Sequence, residues 1–423
     1  MKKIFVISWY YPPLNSSEGL VTWKLLNRSV YDYDVFTQNR SDAWSYGMNA
    51  RFESRAGVRT IFAESETFDD WKQEAFRYFS AHRAEYDAIM TRSMPQESHE
   101  AGLHIKQAYP EVKWIASFGD PIKCNPYQHL NASLYAPYSV KNLVNRNRAL
   151  RWRLNPLRAA LAAAWTVRHR DAVRHRAELA RIEDETLRLC DRIVLNNRSQ
   201  LRWMLGGDET LAAKAHVIRH SFEPALYPDA EPKTRKKLRF VFIGHLDEMR
   251  SPRPLLEAIC SLRADCRDLA RKAEFLFYGD MADADLAYIV RNQLLDVVKF
   301  CAPVPYLESL AIMRDADWVM HVDANIASVS PENVFFAAKL ADYFGSGSSL
   351  LAVTMPKGDV ADVLREAGAQ VLHFSANEIR QALYLMIYEG LTAKPDGAVI
   401  EAFSAPKVAE VFDQQVVATL YER

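Results

Sequence analysis

Lys339 stands near the start of a helical stretch, Ala337 to Phe344, in which Ala337, Leu340, Ala341 and Phe344 recur at helical spacing. Gly345-Ser346-Gly347 then stops it. A lysine at that end of a helix is unfavourable against the helix dipole unless an anion lies there, and the free N–H groups of the first turn attract the same anion. The chemistry on offer is phosphate binding. Asp342 follows on the same helix and adds a carboxylate that can accept from both hydroxyls of a ribose whose diphosphate sits at that turn. Asp120 is placed by a different argument: the apolar run Trp114-Ile115-Ala116 leads into Ser117-Phe118-Gly119-Asp120-Pro121, and ligands in open α/β sheets sit beyond the carboxyl ends of strands. Asp-Pro also turns chains routinely, but the strand-end position favours the cleft. The same rule singles out Thr91-Arg92-Ser93, whereas His99, at a helix start, reads more readily as a packing residue.

These groups need a scaffold of alternating strands and helices. Short apolar runs at Lys3 to Ser8, Asp34 to Phe36, Ala88 to Met90, Trp114 to Ala116, Arg192 to Asn197 and His216 to His220 make one set. Leu238 to Ile243, Glu274 to Tyr278, Val298 to Phe300, Trp318 to Val322 and Leu350 to Val353 make a second. The pattern predicts an α/β protein in which strands and helices alternate, with two sheets in succession along the chain. A chain of 423 residues exceeds one ordinary core, which agrees with two domains. The first is expected over 1–230 and the second over 237–405, joined by the Pro- and Lys/Arg-containing stretch Tyr227 to Lys237. Val408, Val411, Phe412, Val416 and Leu420 form an apolar stripe on one face of a last helix, 406–423.

Lys plus Arg equals Asp plus Glu at 53 each, so global charge points to neither nucleic acid nor membrane, and no nucleic-acid-binding signature is present. Five scattered cysteines without CxxC spacing argue against disulfides or zinc and for a reducing, cytoplasmic setting. No stretch reaches the roughly 20 apolar residues of a spanning helix. Charge is clustered locally. Over 141–176, within a basic helical segment 141–182, arginines including Arg146, Arg148, Arg151 and Arg153 accumulate with Trp152 and Trp165 interleaved. Such a segment can rest on an anionic membrane surface and present a lipid-linked acceptor at the inner face; the plainer reading is a solvated basic helix pair.

The order helix, Asp342-Tyr343, Gly345-Ser346-Gly347, apolar strand resembles the donor-binding segment of the retaining GT-B glycosyltransferases of the family 4 type. In that family a Glu, seven residues and a second Glu bracket the loop, and the second holds the ribose hydroxyls. Asp342 falls on the second, while the first falls on Val334, with Glu332 two residues earlier. The family also places Gly, Arg and, five residues later, Lys after the first strand of the second domain. Here those places hold Gly244, His245 and Arg250, whose fork of donors suits phosphate. An aromatic-Pro-Pro and a Gly-Gly loop open the family's first domain. This chain has Tyr11-Pro12-Pro13, Ser16-Ser17 and then Gly19.

The resemblance implies Asp120, Arg250 and Lys339 as catalytic residues, and Ser17, Gly19, Gly244, His245, Glu332 and Asp342 as donor-binding ones. It further implies an α/β GT-B fold, with two Rossmann-like domains facing each other across a cleft and the last helix packing back on the first domain. The activity it implies is transfer from a nucleotide sugar to a glycan or lipid-linked acceptor in bacterial surface polysaccharide or glycolipid synthesis, with retention, no metal and no other cofactor. The departures at Val334, His245 and Ser16-Ser17 keep two alternatives in view. One is a catalytically silent GT-B nucleotide-binding or partner protein, the other a nucleotide-sugar epimerase.

Overall fold

The computed structural model of the chain describes residues 2–14, 16–39, 52–123, 125–127, 170–229 and 235–421. Nearly all of the basic stretch 141–176 lies outside them, and the membrane reading of that stretch with it. Strands β1 (Lys3–Ile7), β2 (Asp32–Thr37), β3 (Val58–Phe62), β4 (Ala88–Ser93), β5 (Lys113–Phe118), β6 (Arg192–Leu195) and β7 (Ala215–Val217) form one sheet in the order β3-β2-β1-β4-β5-β6-β7. Strands β8 (Leu238–Ile243), β9 (Ala273–Tyr278), β10 (Val298–Cys301), β11 (Trp318–Val322), β12 (Ser349–Val353) and β13 (Gln370–Leu372) form the other, ordered β10-β9-β8-β11-β12-β13. Every pairing is parallel; Val6, for example, lies beside both Val35 and Met90.

Helices cover both faces of each sheet, which is why runs such as Ile4-Phe5-Val6-Ile7 and Leu350-Leu351-Ala352-Val353 are apolar without alternation and wholly buried. The longer helices are α1 (Ser17–Arg28), α2 (Phe68–Ala81), α3 (Glu97–Ala108), α4 (Arg170–Leu189), α5 (Arg198–Leu205) and α6 (Arg253–Asp265). They continue with α7 (Asp283–Arg291), α8 (Tyr306–Asp315), α9 (Ala338–Ser346), α10 (Asp359–Glu366), α11 (Ala376–Tyr388) and α12 (Ala405–Phe412). Strand order reverses between β1 and β4 in the first sheet and between β8 and β11 in the second. Those switch points are where an open α/β sheet leaves a crevice at its carboxyl edge.

The chain crosses between domains twice, and the crossings lie side by side. Phe222 pairs with Ser404, the Phe222 amide donating to the Phe403 carbonyl and the Ala405 amide to the Phe222 carbonyl. After the second crossing α12 runs back over α1 and continues through a wide turn at Asp413–Val417 and a tight one at Ala418–Tyr421. Val408, Ala409, Phe412, Val416, Val417 and Leu420 share one core with Ile4, Val6, Trp23, Leu26 and Val35. The wide turn shifts the helical register so that Val417 is buried, while Val411, expected on the stripe, lies on the rim of the preceding α-helix and is 37% exposed.

Candidate functional site

A cleft of about 480 Å³ opens between the two carboxyl edges. Its first-domain wall is the start of α1, with Ser17, Glu18 and Lys24, joined by Gly119-Asp120 after β5, Tyr127 and His220. The second domain contributes Gly244, His245 and Arg250 after β8, Tyr278-Gly279-Asp280 after β9, Pro303 and Val304 after β10, and Phe335 to Lys339 and Asp342 at the start of α9.

The phosphate-seeking groups meet as their local sequences require. α9 begins at Ala338 on Ala337, a residue with no side chain to cap the first amides. Lys339 turns its Nζ away from solvent, where it finds no hydrogen-bond partner among the described residues and lies 4.3 Å from the centre of the Phe242 ring. Burial holds that ammonium well below the ordinary lysine range, and the nearby Arg250 lowers it further. Gly244 makes room for it: φ is +127° there, and a Cβ would come within 2.5 Å of the Lys339 Nζ. Gly279 is held equally close, since its Cβ would collide with the Gly244 carbonyl oxygen. The loop to α6 is closed by Asp247, whose Oδ1 accepts from the Met249 and Arg250 amides at 2.9 and 2.7 Å. Arg250 then reaches across the cleft and donates to the Tyr127 hydroxyl at 3.1 Å, with its Nε buried and unpartnered among the described residues. His245 sits at the rim, 62% exposed, 3.7 Å from Asp280.

On the opposite wall, Ser16 caps α1 by accepting from the Glu18 amide at 3.3 Å, which turns Ser17 and Glu18 towards the cleft. Arg92, at the end of β4, donates to Glu18 Oε2 at 2.7 and 3.0 Å and to Ser117 Oγ at 3.0 Å. Asp120 stands beside this network. Burial and the negative charge of Glu18 push its carboxyl up to about 7, despite Arg92 and Arg250.

Of the nine residues singled out in the sequence, seven line this cleft: Asp120, Arg250, Lys339, Ser17, Gly244, His245 and Asp342. Gly19 and Glu332 do not. Gly19 serves packing, because a Cβ there would lie 3.1 Å from the Tyr11 backbone. Glu332 is turned to the first domain, accepting from Arg202 Nε at 3.0 Å and Ser199 Oγ at 2.8 Å. It therefore braces the two domains, while Val334, two residues on, is buried. Asp359 acts alongside, accepting from the Arg198 amide at 2.8 Å and pairing with Arg219 at 2.9 Å. His99 is buried against Thr91, 2.7 Å from its hydroxyl, and takes no part in the cleft.

Sequence reasoning missed Lys24. It lies in α1 with 2% of its surface exposed, donates to Asp342 Oδ1 at 2.6 Å, and so joins the domains at the cleft floor. Tyr306 donates to the same oxygen at 2.9 Å. A lysine inside Leu20-Val21-Thr22-Trp23-Lys24-Leu25-Leu26 was the available signal, since an apolar face tolerates a charge only when it is paired.

No protein-family model matches the sequence, and no curated protein matches it. Solved structures do. Sucrose-phosphate synthase from Thermosynechococcus elongatus superposes with a TM-score of 0.63 at 14% identity, over 99% of this chain and 100% of that one. The fold is GT-B. A UDP-forming α,α-trehalose-phosphate synthase from Burkholderia xenovorans, in complex with glucose-6-phosphate, gives 0.61 at 10% identity over 98% and 100% of the two chains. WaaG, a glycosyltransferase involved in lipopolysaccharide biosynthesis, gives 0.52 at 12% identity over 98% and 97%. The GT-B frame puts the cleft between its two Rossmann-like domains. Among the described residues no helix is long and apolar enough to cross a membrane, and no group of three His, Cys, Asp or Glu residues is arranged to hold a metal ion.

Proposed function

We propose that the protein is a glycosyltransferase of the family 4 type that moves a sugar from a nucleotide-sugar donor to a glycan or lipid-linked acceptor, with retention of anomeric configuration. The observation that carries this reading is the shielded Lys339 ammonium without a protein acceptor among the described residues, set beside Gly244, Arg250 and the uncapped start of α9 in the cleft of a GT-B fold. Such a cluster of donors matches a diphosphate.

In this reading the diphosphate lies against Lys339, Arg250 and the first amides of α9, and the ribose reaches Asp342. Asp120 accepts from a hydroxyl of the sugar being transferred and faces the positive charge that develops at its anomeric carbon. As the glycosidic bond breaks, the electron pair stays on the leaving phosphate oxygen, where the two cations and the helix N-terminus stabilise it without need of a divalent metal. The acceptor hydroxyl attacks from the same face and gives up its proton to the departing phosphate. The neighbouring synthases and WaaG support donor-dependent transfer as the class of reaction. A role in surface polysaccharide or glycolipid synthesis, and a cytoplasmic place at the inner membrane face held by 141–176, belong to the same proposal.

The test has two stages. Thermal shifts with UDP-, GDP-, ADP- and CMP-sugars should identify a donor, since a ligand of the native state raises its melting temperature. Nucleoside diphosphate should then be released in proportion to acceptor, in the presence of a chelator, and the product's anomeric configuration should match the donor's. Release or isomerisation without acceptor would instead establish the epimerase, and binding without either the silent GT-B protein.

A further inference from the structure

Asp342 uses its two carboxylate oxygens differently. Oδ1 accepts from Lys24 Nζ at 2.6 Å and from the Tyr306 hydroxyl at 2.9 Å, whereas no described residue donates to Oδ2. Lys24 and the helix carrying Asp342 are fixed in turn. Lys24 also donates to the Ser221 carbonyl at 3.0 Å and lies 5.2 Å from the centre of the Tyr306 ring; the backbone carbonyl of Asp342 accepts from Tyr227 at 2.7 Å. The side chain is therefore clamped from both domains through one oxygen, and Asp342, Lys24 and Tyr306 all line the cleft.

A buried carboxylate is costly unless it is paired and hydrogen-bonded. Lys24 is that partner, 2.6 Å from Oδ1. Two donors on Oδ1 also fix the plane of the group, so that Oδ2 is the acceptor left for a ligand. We propose that Lys24 and Tyr306 are positioning residues of the nucleotide site: by clamping Oδ1 they present Oδ2 of Asp342 to the ribose hydroxyls, and so select donors built on ribonucleotides over those built on 2′-deoxyribonucleotides. This rests on the donor reading and adds to it a class of donor and a contribution from the first domain.

The experiment is titration calorimetry of the full chain with UDP, GDP, ADP and CDP and with their 2′-deoxy forms, for wild type, Lys24→Met and Tyr306→Phe. Wild type should prefer the ribose form of the nucleotide it binds by about tenfold, the step between a charge-assisted hydrogen bond and none. Both variants should lose most of that ratio while the 2′-deoxy affinity changes little. Tyr306→Phe keeps the ring and the ion pair, so it decides the question should Lys24→Met not fold. A wild type without ribose preference, or variants that weaken both forms alike, would overturn the positioning role and leave the donor reading standing. Binding of none of the nucleotides would overturn both.

Discussion

Replacing Lys339 with methionine keeps an unbranched, apolar stem and removes the amine, so it separates a ligand-binding lysine from a structural one. Within the protein the amine satisfies no acceptor among the described residues. An unsatisfied buried polar group costs about 1 to 3 kcal/mol, against which the contact with the Phe242 ring returns about 0.5 to 1 kcal/mol or somewhat more. The ligand-free variant should therefore be more stable than wild type by on the order of 1 kcal/mol. Binding should move the other way: a charge-assisted contact to phosphate contributes about 1.5 to 3 kcal/mol, so nucleoside diphosphate should bind about 10- to 150-fold more weakly while the bare nucleoside is unaffected. The pH dependence has a definite sign. Burial and then Arg250 depress the Lys339 pKa in the free protein, and a bound diphosphate raises it again. Binding thus takes up a proton between the two values. Affinity is full below the free value and declines as pH rises towards the bound one. Calorimetry in two buffers of different ionisation enthalpy measures that uptake, and denaturant melts measure the stability. A less stable variant with undiminished affinity would refute the reasoning and return Lys339 to the scaffold.

Arg250→Ala should weaken nucleoside diphosphate about 10- to 100-fold more than nucleoside in the same titration, since the donor reading sets its fork against the phosphates; equal losses would make its bond to Tyr127 its only role. Asp120, raised to about 7 by burial and Glu18, should give kcat/KM a limb that rises through neutral pH as the carboxylate forms, and Asp120→Asn should flatten it; an unchanged limb would exclude Asp120 from the reaction. Sedimentation with anionic vesicles should show binding that falls with salt and with charge reversal at Arg146, Arg148, Arg151 and Arg153. Salt-independent binding, or none, would remove the membrane contact.

Most strands were legible because a parallel strand buried on both faces must be an apolar run ended by turn residues, as in Leu238 to Ile243 and Trp318 to Val322, whose observed bounds are the expected ones. The two that escaped lie at sheet edges. β3 carries Arg59, ion-paired to Asp34, and has one buried face at most; β13 is three residues long. Lys339 was legible from its neighbours in sequence, since a cation at an uncapped helix start is a local anomaly. The interdomain contacts of Glu332 and Lys24 were not legible because their partners lie 130 and 318 residues away; the lysine inside the apolar stretch of α1 marked only that a partner must exist, not which one.

The adjoining crossings at Phe222 and Ser404 bear on how the molecule is made. The second domain is continuous between them, so all of its strands leave the ribosome before α12 does. The first domain is not. Until residues 405–421 emerge, Ile4, Val6, Trp23, Leu26 and Val35 lack the wall that Val408, Phe412, Val416 and Leu420 supply. A nascent chain would thus carry a finished second domain beside a first domain with an open apolar flank, a state prone to association. The second domain is thus completed before the first although its strands are made later, because residues 405–421 supply the missing wall of the first sheet's core.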